Sequence, residues 1–195
     1  MQTRLIQFSD ENNLLPPNQI GYKRKTRTVD HILTLKNIID KYIFKSPRRY
    51  LFVCFVDFKS AFDTVWRKAL IYKLLTFGIA GNFLSVLRSM YDEVSYCVKI
   101  NGGVTDKIKS NVGVKQGCVL SPTLFNLYLA DLPAVFDNHC DPVRNFDTNL
   151  NCLMFAEEIV LMSETADGLQ NCINTLQGYC NKWKLTLKKT KKNKL

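Results

Sequence analysis

Hydrophobic residues recur at helical spacing over much of the chain. Apolar positions three and four residues apart predict amphipathic helices, and Ser, Thr, Asp, Gly and Pro mark their ends. Ser121 can cap one helix with Pro122 at its first position, and Thr28 or Asp30 can cap another. The predicted helices cover a short stretch before Pro16, 28–44, 66–77, 82–92, 121–136 and a segment that begins at Thr165 or Asp167.

Shorter apolar runs bounded by turn residues predict strands. The six consecutive apolar residues 51–56 indicate a buried central strand that stops at Asp57. The other predicted strands form two hairpins and a final strand, at 95–101 with 105–112, 152–155 with 159–162, and 183–187. Residues 137–149 are polar and predict a loop. Helices and antiparallel strands in this order predict an α+β domain.

Three carboxylates stand out because of the residues around them. Asp57 follows an apolar run, and Glu157 and Glu158 lie between the two strands of the second hairpin. Burying an unpaired carboxylate is costly, and clustered carboxylates repel one another unless a cation joins them. If the hairpin packs beside the strand of Asp57, the three acids meet at one edge of the sheet. Oxygen ligands there favour Mg²⁺ or Mn²⁺, and two such ions can promote phosphoryl transfer.

Two alternatives stay open on the pattern alone. Asp57 can end its strand in a turn while Glu157 and Glu158 are solvated residues of a hairpin tip, and neither role needs a metal. A pair of carboxylates also serves glycosidases, although no other feature of the sequence indicates a sugar-binding cleft.

The net charge of +10 is concentrated in two segments. Residues 184–195 hold six lysines and no acid, and residues 23–27 contribute four positive charges, so the rest of the chain is nearly neutral. Basic patches of this kind suit a polyanion such as nucleic acid. The alternative for residues 188–195 is a solvated tail without a ligand.

Composition narrows the remaining classes of protein. Hydrophobic residues make up 46% of the chain, which is typical of a globular domain, and no apolar run is long enough for a membrane span. The first residues lack the apolar core of a secretory signal. The seven cysteines form no CxxC pair and match no zinc spacing. We therefore expect reduced thiols in an intracellular protein, nuclear or cytoplasmic, with no membrane partner.

Five segments form an ordered series of motifs. They are Gln19-Ile20-Gly21-Tyr22-Lys23 with Thr28-Val29-Asp30-His31, then Val56-Asp57-Phe58-Lys59-Ser60-Ala61-Phe62-Asp63-Thr64-Val65, then Gly113-Val114-Lys115-Gln116-Gly117-Cys118-Val119-Leu120-Ser121-Pro122-Thr123-Leu124-Phe125-Asn126, then Phe155-Ala156-Glu157-Glu158, and 179–191. In this order they resemble a fingers motif, two palm motifs, the catalytic hairpin and the last palm segment of the reverse transcriptases of long interspersed and jockey-like non-LTR retrotransposons. The resemblance covers nearly the whole chain.

This resemblance implies a fold and an activity. The fold is a right-hand polymerase palm, an antiparallel sheet backed by helices, with residues 1–50 as partial fingers, 51–187 as the palm and 188–195 as a basic tail. The activity is RNA-directed DNA polymerisation, a nucleotidyl transfer. Its partners are an RNA template, a DNA primer and deoxynucleoside triphosphates, and its cofactors are two Mg²⁺ (or Mn²⁺) ions.

The resemblance also implies catalytic and metal-binding residues. Asp57 would bind both metal ions, with help from the carbonyl of Phe58. Glu157 would be the second carboxylate ligand, and Glu158 would take a more auxiliary position. All three acids are therefore expected to be catalytic.

Substrate-binding residues follow from the same motifs. Phe62 would exclude a ribose 2′-hydroxyl, and Gln116, Gly117 and Asn126 would approach the incoming nucleotide. The basic residues Lys23, Arg24 and Lys115 would contact nucleic acid. Simpler alternatives exist for several of these positions: a core aromatic at Phe62, a plain turn at Gln116 and Gly117, and solvated side chains at Lys23 and Arg24.

The sequence departs from the family at the catalytic hairpin, where the family carries Asp at both acidic positions. Each Glu is longer by one methylene, so its carboxylate moves by roughly 1–1.5 Å, a displacement that can cost about 10²-fold in rate. Basic residues at Lys23, Lys25 and Arg27 replace the family's usual Arg, Gly and Ser.

Against the family's motif order, we expect the chain to begin inside the fingers and to end just after the palm, without the thumb and the endonuclease domain, as in a truncated or decaying copy. Three alternative functions follow. The favoured one is a reverse transcriptase-like domain that is mostly inactive. The others are a weakly active Mg²⁺ or Mn²⁺ enzyme and a non-enzymatic module that binds nucleic acid or another partner.

Overall fold

The computed structural model describes residues 1–44, 50–137, 140–145 and 148–188. Its helices are α1 Gln2–Glu11, α2 Thr28–Ile43, α3 Ala61–Thr64, α4 Arg67–Thr76, α5 Gly81–Asp92, α6 Ser121–Tyr128, α7 Leu132–Asp137 and α8 Ala166–Trp183. Its strands are β1 Phe52–Asp57, β2 Ser95–Tyr96, β3 Lys99–Ile100, β4 Gly103–Val104, β5 Ile108–Lys109, β6 Val143–Asn145, β7 Thr148–Leu150, β8 Cys152–Phe155 and β9 Glu158–Ser163. The mixture of helices with antiparallel strands confirms the predicted α+β class.

A three-stranded antiparallel sheet in the order β1-β9-β8 forms the centre of the fold. The predicted position of β1 was wrong, because β9 is the middle strand and the β1 residues are only partly buried. Phe55 is 67% exposed, since part of one face of the sheet is open. A continuous apolar run therefore does not reveal whether a strand lies in the middle of a sheet.

Successive residues of the sheet strands point to opposite faces, and each face has its own core. Met154 and Leu161 belong to the large cluster formed with helices α4 to α8. Leu153 and Met162 lie in a smaller cluster against Ile38 of α2. Helix α6 is buried at all but one of its residues. The sheet is thus held between a thick helical layer and the single helix α2.

Most predicted helices are confirmed, but the structure differs from the prediction in three segments. The segment predicted as one helix over 121–136 is two helices, α6 and α7, and Ser121 is the first helical residue and not the cap. The predicted loop 137–149 was wrong, because β6 and β7 pair there. The 95–112 hairpin is confirmed, although its pairing is interrupted. The predicted strand 183–187 is reduced to one bridge between Leu187 and Phe58, since α8 continues to Trp183.

Within the described segments, no helix combines the length and the apolar character needed to cross a bilayer. The expected basic tail, 188–195, lies outside the described residues except for Lys188.

An extended segment before α2 adds to the free edge of β8. The Ile20 amide donates to the Met154 carbonyl at 3.0 Å, and the Met154 amide donates to the Asn18 carbonyl at 2.8 Å. The buried Gln19 side chain accepts a hydrogen bond from the Ala156 amide at 2.9 Å and donates to the Ala156 carbonyl at 3.3 Å. The N-terminal part of the chain therefore fixes the turn that carries Glu157.

Gly21 permits this close approach. A Cβ atom at this position would lie 2.3 Å from the Ala156 amide nitrogen, a backbone atom that cannot rotate away.

We expect Gly21→Ala to lower the free energy of unfolding by about 2 kcal/mol, measured by denaturant titration. Gly178→Ala is the control, because its Cβ would meet open space within α8 and should stabilise the chain by about 0.5–1 kcal/mol. Equal stability of the two variants would contradict the predicted clash.

A buried lysine joins α4 to the helices packed on it. Lys73 is 2% exposed, and its ammonium group donates to the Tyr128 carbonyl at 2.6 Å, the Tyr179 hydroxyl at 2.6 Å and an Asp131 carboxylate oxygen at 2.5 Å. It also lies 4.0 Å from the centroid of the Trp183 ring. Burial lowers the pKa of Lys73 to about 8, and the charge of Asp131 partly opposes this shift. All three donor positions are used, so the charge is compensated inside the core.

We expect Lys73→Met to destabilise the fold, because the Tyr128 carbonyl and the Tyr179 hydroxyl lose a buried donor. The loss should be about 2 kcal/mol, since Asp131 is partly exposed and can be solvated by water. Lys68→Met, an exposed position of the same helix, is the matched control and should change the unfolding midpoint little. A midpoint for Lys73→Met at or above that of the control would show that the hydrogen bonds contribute no net stability.

Candidate active site

The pairing of β1 with β9 places two of the three predicted carboxylates opposite each other. Asp57 lies directly opposite Glu158 in the register, a position at which Cβ atoms are typically about 5 Å apart. Glu157 is in the tight turn between β8 and β9, and its carbonyl accepts a hydrogen bond from the Phe58 amide at 3.4 Å. The hairpin therefore lies beside the strand of Asp57, which was the condition for the acidic residues to share one edge of the sheet.

Local backbone conformation sets the direction of the turn. Ala156 has a φ of 53°, in the left-handed region, and its side chain is buried. A residue with a Cβ atom adopts this conformation only where the surroundings hold it, and here the two hydrogen bonds between Ala156 and the Gln19 side chain, one donated by each residue, do so. Glu157 and Glu158 follow at the rim of the sheet, partly buried and exposed respectively.

Lys188 occupies one oxygen of Asp57. Its ammonium group donates to Asp57 Oδ2 at 2.7 Å. Its backbone amide also donates to the Asp57 carbonyl at 2.8 Å, and the Lys59 amide donates to the Thr186 carbonyl at 2.8 Å. The hydrogen bond to Asp57 and the negative charge of that carboxylate raise the pKa of Lys188. The segment after α8 is therefore paired alongside Asp57 and carries a cation to it.

The donors fit a hard divalent cation in kind but not in arrangement. Asp57, Glu157, Glu158 and the Phe58 carbonyl would provide oxygen ligands alone, as Mg²⁺ and Mn²⁺ prefer. Over the described ranges, however, no three acidic, histidine or cysteine side chains converge as a metal site. One Asp57 oxygen is also engaged by Lys188.

Phe62 lies at the edge of the large hydrophobic core. Its ring stacks on the buried Phe125 ring with centroids 4.8 Å apart, and the exposed Tyr22 ring meets it edge-on at 6.3 Å. The side chain is partly buried. It is therefore packed as a core aromatic on one side and remains accessible on another, so the position suits both roles considered for it.

Gln116 and Gly117 lie in an exposed loop that is tied to α3. Gln116 donates from Nε2 to an Asp63 carboxylate oxygen at 2.7 Å, and Gly117 has a φ of 76°. Gly113, at the start of this loop, has a φ of 83°, and a Cβ there would lie 2.6 Å from the Asp63 carbonyl oxygen. These contacts hold the loop against the segment that carries Asp57 and Phe62.

A buried arginine supports the same loop from behind. Arg67 donates to the carbonyls of Gly113 at 2.8 Å, Ser110 at 2.6 Å and Val112 at 2.8 Å. Because the guanidinium group has five fixed N–H donors, it can satisfy several loop carbonyls at once. The sequence gives no signal for this role, because Arg67 lies there as an ordinary residue in the first turn of the helix predicted over 66–77.

The predicted basic residues fall into two places. Lys23 and Arg24 line a cavity of about 330 Å³ with Asn126, Thr123 and others. Asn126 is buried, and its Nδ2 donates to the Gly21 carbonyl at 2.6 Å, while its Oδ1 has no hydrogen-bond partner. Lys115 lies elsewhere, with its ammonium 5.9 Å from the Tyr91 ring centroid. The structure thus groups Asn126 with the basic segment and not with Gln116.

A mainly apolar groove opens beside the acidic residues. It has a volume of about 430 Å³ between α2 and the exposed face of the sheet. Asp57, Glu158 and Lys188 line it together with apolar side chains such as Ile32 and Phe155. The candidate active site is therefore continuous with an open surface of the sheet.

Sequence reasoning missed the residues that support the site. Gln19, Arg67 and Lys188 hold the turn, the loop and the Asp57 carboxylate respectively. Only Gln19 had a usable signal, because it precedes Gly21 within a recognised motif. Lys188 was assigned to the basic tail, where one lysine among several gives no indication of a specific partner.

Comparison with known proteins identifies the family that the motifs resemble, and the match extends over the full length of the chain. The family model described as "Reverse transcriptase (RNA-dependent DNA polymerase)" matches residues 1–195. A probable RNA-directed DNA polymerase from transposon BS of Drosophila melanogaster is 29% identical over 92% of this chain, and the RNA-directed DNA polymerase from mobile element jockey of Drosophila funebris is 23% identical over 94%. The chain spans 20% of the length of each of these relatives.

Solved structures agree in fold. Telomerase from Candida albicans, solved with a fragment of telomeric RNA, aligns with a TM-score of 0.67 at 15% identity and covers 95% of this chain and 33% of its own. Apo telomerase from Candida tropicalis aligns with a TM-score of 0.68 over 95% of this chain and 35% of its own. These alignments establish the right-hand polymerase fold, and together with the family match they show that the chain belongs to the reverse transcriptase family, as a reverse transcriptase-like domain of the non-LTR retrotransposon kind.

Proposed function

We propose that this chain is the catalytic palm region of an RNA-directed DNA polymerase, with a hairpin that impairs its activity. The observation that carries the proposal is the pairing of Asp57 with Glu158 across β1 and β9, next to Glu157 in the turn. The partners would be an RNA template, a DNA primer and deoxynucleoside triphosphates. The family generally uses Mg²⁺, and two Mg²⁺ or Mn²⁺ ions are the proposed cofactors.

Each residue group has a proposed task in this reaction. In an arrangement different from the one described, with the Asp57 carboxylate released by Lys188, Asp57, Glu157 and the Phe58 carbonyl would hold the cofactor ions, with Glu158 as an auxiliary carboxylate. Such ions supply charge neutralisation at a transferring phosphoryl group. Phe62 would limit the space beside the sugar of the incoming nucleotide, because its ring is fixed by stacking on Phe125.

The remaining substrate contacts would come from two loops. Gln116 and Gly117 are exposed and held by Asp63, so they can present side-chain and backbone groups to a nucleotide. Lys23, Arg24 and Lys115 would contact the phosphates of nucleic acid, and Asn126 would act through its unpaired Oδ1. Residues 1–50, 51–187 and 188–195 remain the proposed fingers, palm and tail.

We predict that restoring shorter carboxylates raises the rate of DNA synthesis. Glu157→Asp combined with Glu158→Asp should extend a DNA primer on an RNA template about 10²-fold faster than the unchanged chain, because each carboxylate returns by one methylene. The measurement is incorporation of labelled deoxynucleotides with Mg²⁺ and with Mn²⁺. Asp57→Ala added to the double variant should abolish the gain.

Two results would count against this proposal. Incorporation that persists after Asp57→Ala would place the chemistry elsewhere. A double variant as silent as the unchanged chain would show that the length of the Glu side chains is not the defect.

A second function, binding of RNA without catalysis, is favoured by the cavity beside the basic segment. Lys23, Arg24 and the neighbouring Lys25 line it with one acid, Asp10. A concentration of positive charge attracts phosphates whether or not the carboxylates function.

We predict salt-dependent binding of single-stranded RNA through this segment. Changing Lys23, Arg24 and Lys25 together to Ala should reduce the slope of log Kd against log salt by about 2, as measured by fluorescence anisotropy. The matched control changes three exposed lysines of the β2–β5 hairpin region, Lys99, Lys107 and Lys109. Equal losses in both triple variants, or affinity that does not change with salt, would argue against a specific role of residues 23–25.

A further inference from the structure

Lys188 stands where a cation is required. Asp57 presents two carboxylate oxygens at the end of β1, opposite Glu158, and the Lys188 ammonium takes Oδ2 at 2.7 Å. Two facing carboxylates are an unfavourable arrangement unless positive charge lies between or beside them. Asp57, Glu158 and Lys188 line the same end of the open groove. The chain itself therefore neutralises part of its own acidic pair.

The backbone delivers Lys188 to this place. The bridge between Phe58 and Leu187 and the two flanking backbone hydrogen bonds, from the Lys59 amide to Thr186 and from the Lys188 amide to Asp57, align the segment after α8 with the end of β1. The ammonium is thus tethered beside Asp57, which gives it a high local concentration compared with ions in solution. The side chain is still 65% exposed, so it can swing away without unfolding the sheet.

We propose that Lys188 occupies the cation position of Asp57 and that its ammonium and a divalent metal ion exclude one another there. This inference rests on the proposed function of Asp57 as a metal ligand. An ion that binds Asp57 through Oδ2 must displace the ammonium, and an ion that binds through the other oxygen is repelled by the ammonium at short range. This exclusion explains why the oxygen donors suit Mg²⁺ in kind although their arrangement does not suit it. One of the two Asp57 oxygens is already bound by the Lys188 ammonium.

The test measures binding of Mn²⁺ alone to the full chain, by electron paramagnetic resonance of the free ion. Lys188→Met removes the charge and should bind Mn²⁺ about tenfold more tightly than the unchanged chain. Lys188→Arg keeps the positive charge and should remain close to the unchanged chain. Lys107→Met removes an equivalent charge from the hairpin region and should have little effect. Adding Asp57→Asn to Lys188→Met should remove the gain. Thermal unfolding of each variant confirms that it is folded.

Two outcomes would overturn the exclusion. One is a Lys188→Met affinity that matches that of Lys107→Met, and the other is a Lys188→Arg variant that gains as much as Lys188→Met. Primer extension separates this inference from the polymerase proposal. If Lys188→Met binds Mn²⁺ more tightly and no variant synthesises DNA, the result supports the exclusion and contradicts the polymerase proposal. If DNA synthesis depends on Asp57 but Lys188→Met leaves the Mn²⁺ affinity unchanged, the result contradicts the exclusion and supports the polymerase proposal.

Discussion

The antiparallel pairing of β1 with β9 is the interaction on which the site depends. It places Asp57 opposite Glu158, residues that are far apart in the sequence. Because strand side chains alternate between faces, a shift of one residue would turn Asp57 to the other face and exchange the two cores. The separate clusters around Met154 and Leu153 make such a shift costly. Packing on both faces thereby protects the register that aligns the carboxylates.

Buried polar side chains then connect this sheet to its surroundings. Gln19 holds the hairpin turn, Arg67 holds the loop before Gln116, and Lys73 joins the helices behind the sheet. Each is buried. Backbone groups satisfy Gln19 and most of Arg67, whereas Lys73 has one carbonyl, one hydroxyl and one carboxylate as partners, so the desolvation of each is compensated. These contacts are directional, which apolar packing is not. They therefore determine the positions of loops that the hydrophobic core alone would leave variable.

Charge balance links the fold to the proposed function. The right-hand polymerase fold is retained, and acidic side chains remain at the positions where the motifs require them. The partner of Asp57, however, is a lysine of the same chain. An exposed ion pair contributes little to stability, so the architecture does not depend on it, whereas the proposed exclusion of a divalent cation does.

The sequence by itself determined the family, the fold class, most helices and the two acidic segments, because these follow from motifs, spacing and local propensity. It also indicated that the hairpin would lie beside Asp57. The tertiary structure decided what depends on distant partners: β9 and not β1 in the middle of the sheet, the β6–β7 pair, and the supporting roles of Arg67 and Lys188. A strand's neighbours and a lysine's acceptor are set by contacts across the fold, and no local pattern in the chain encodes them.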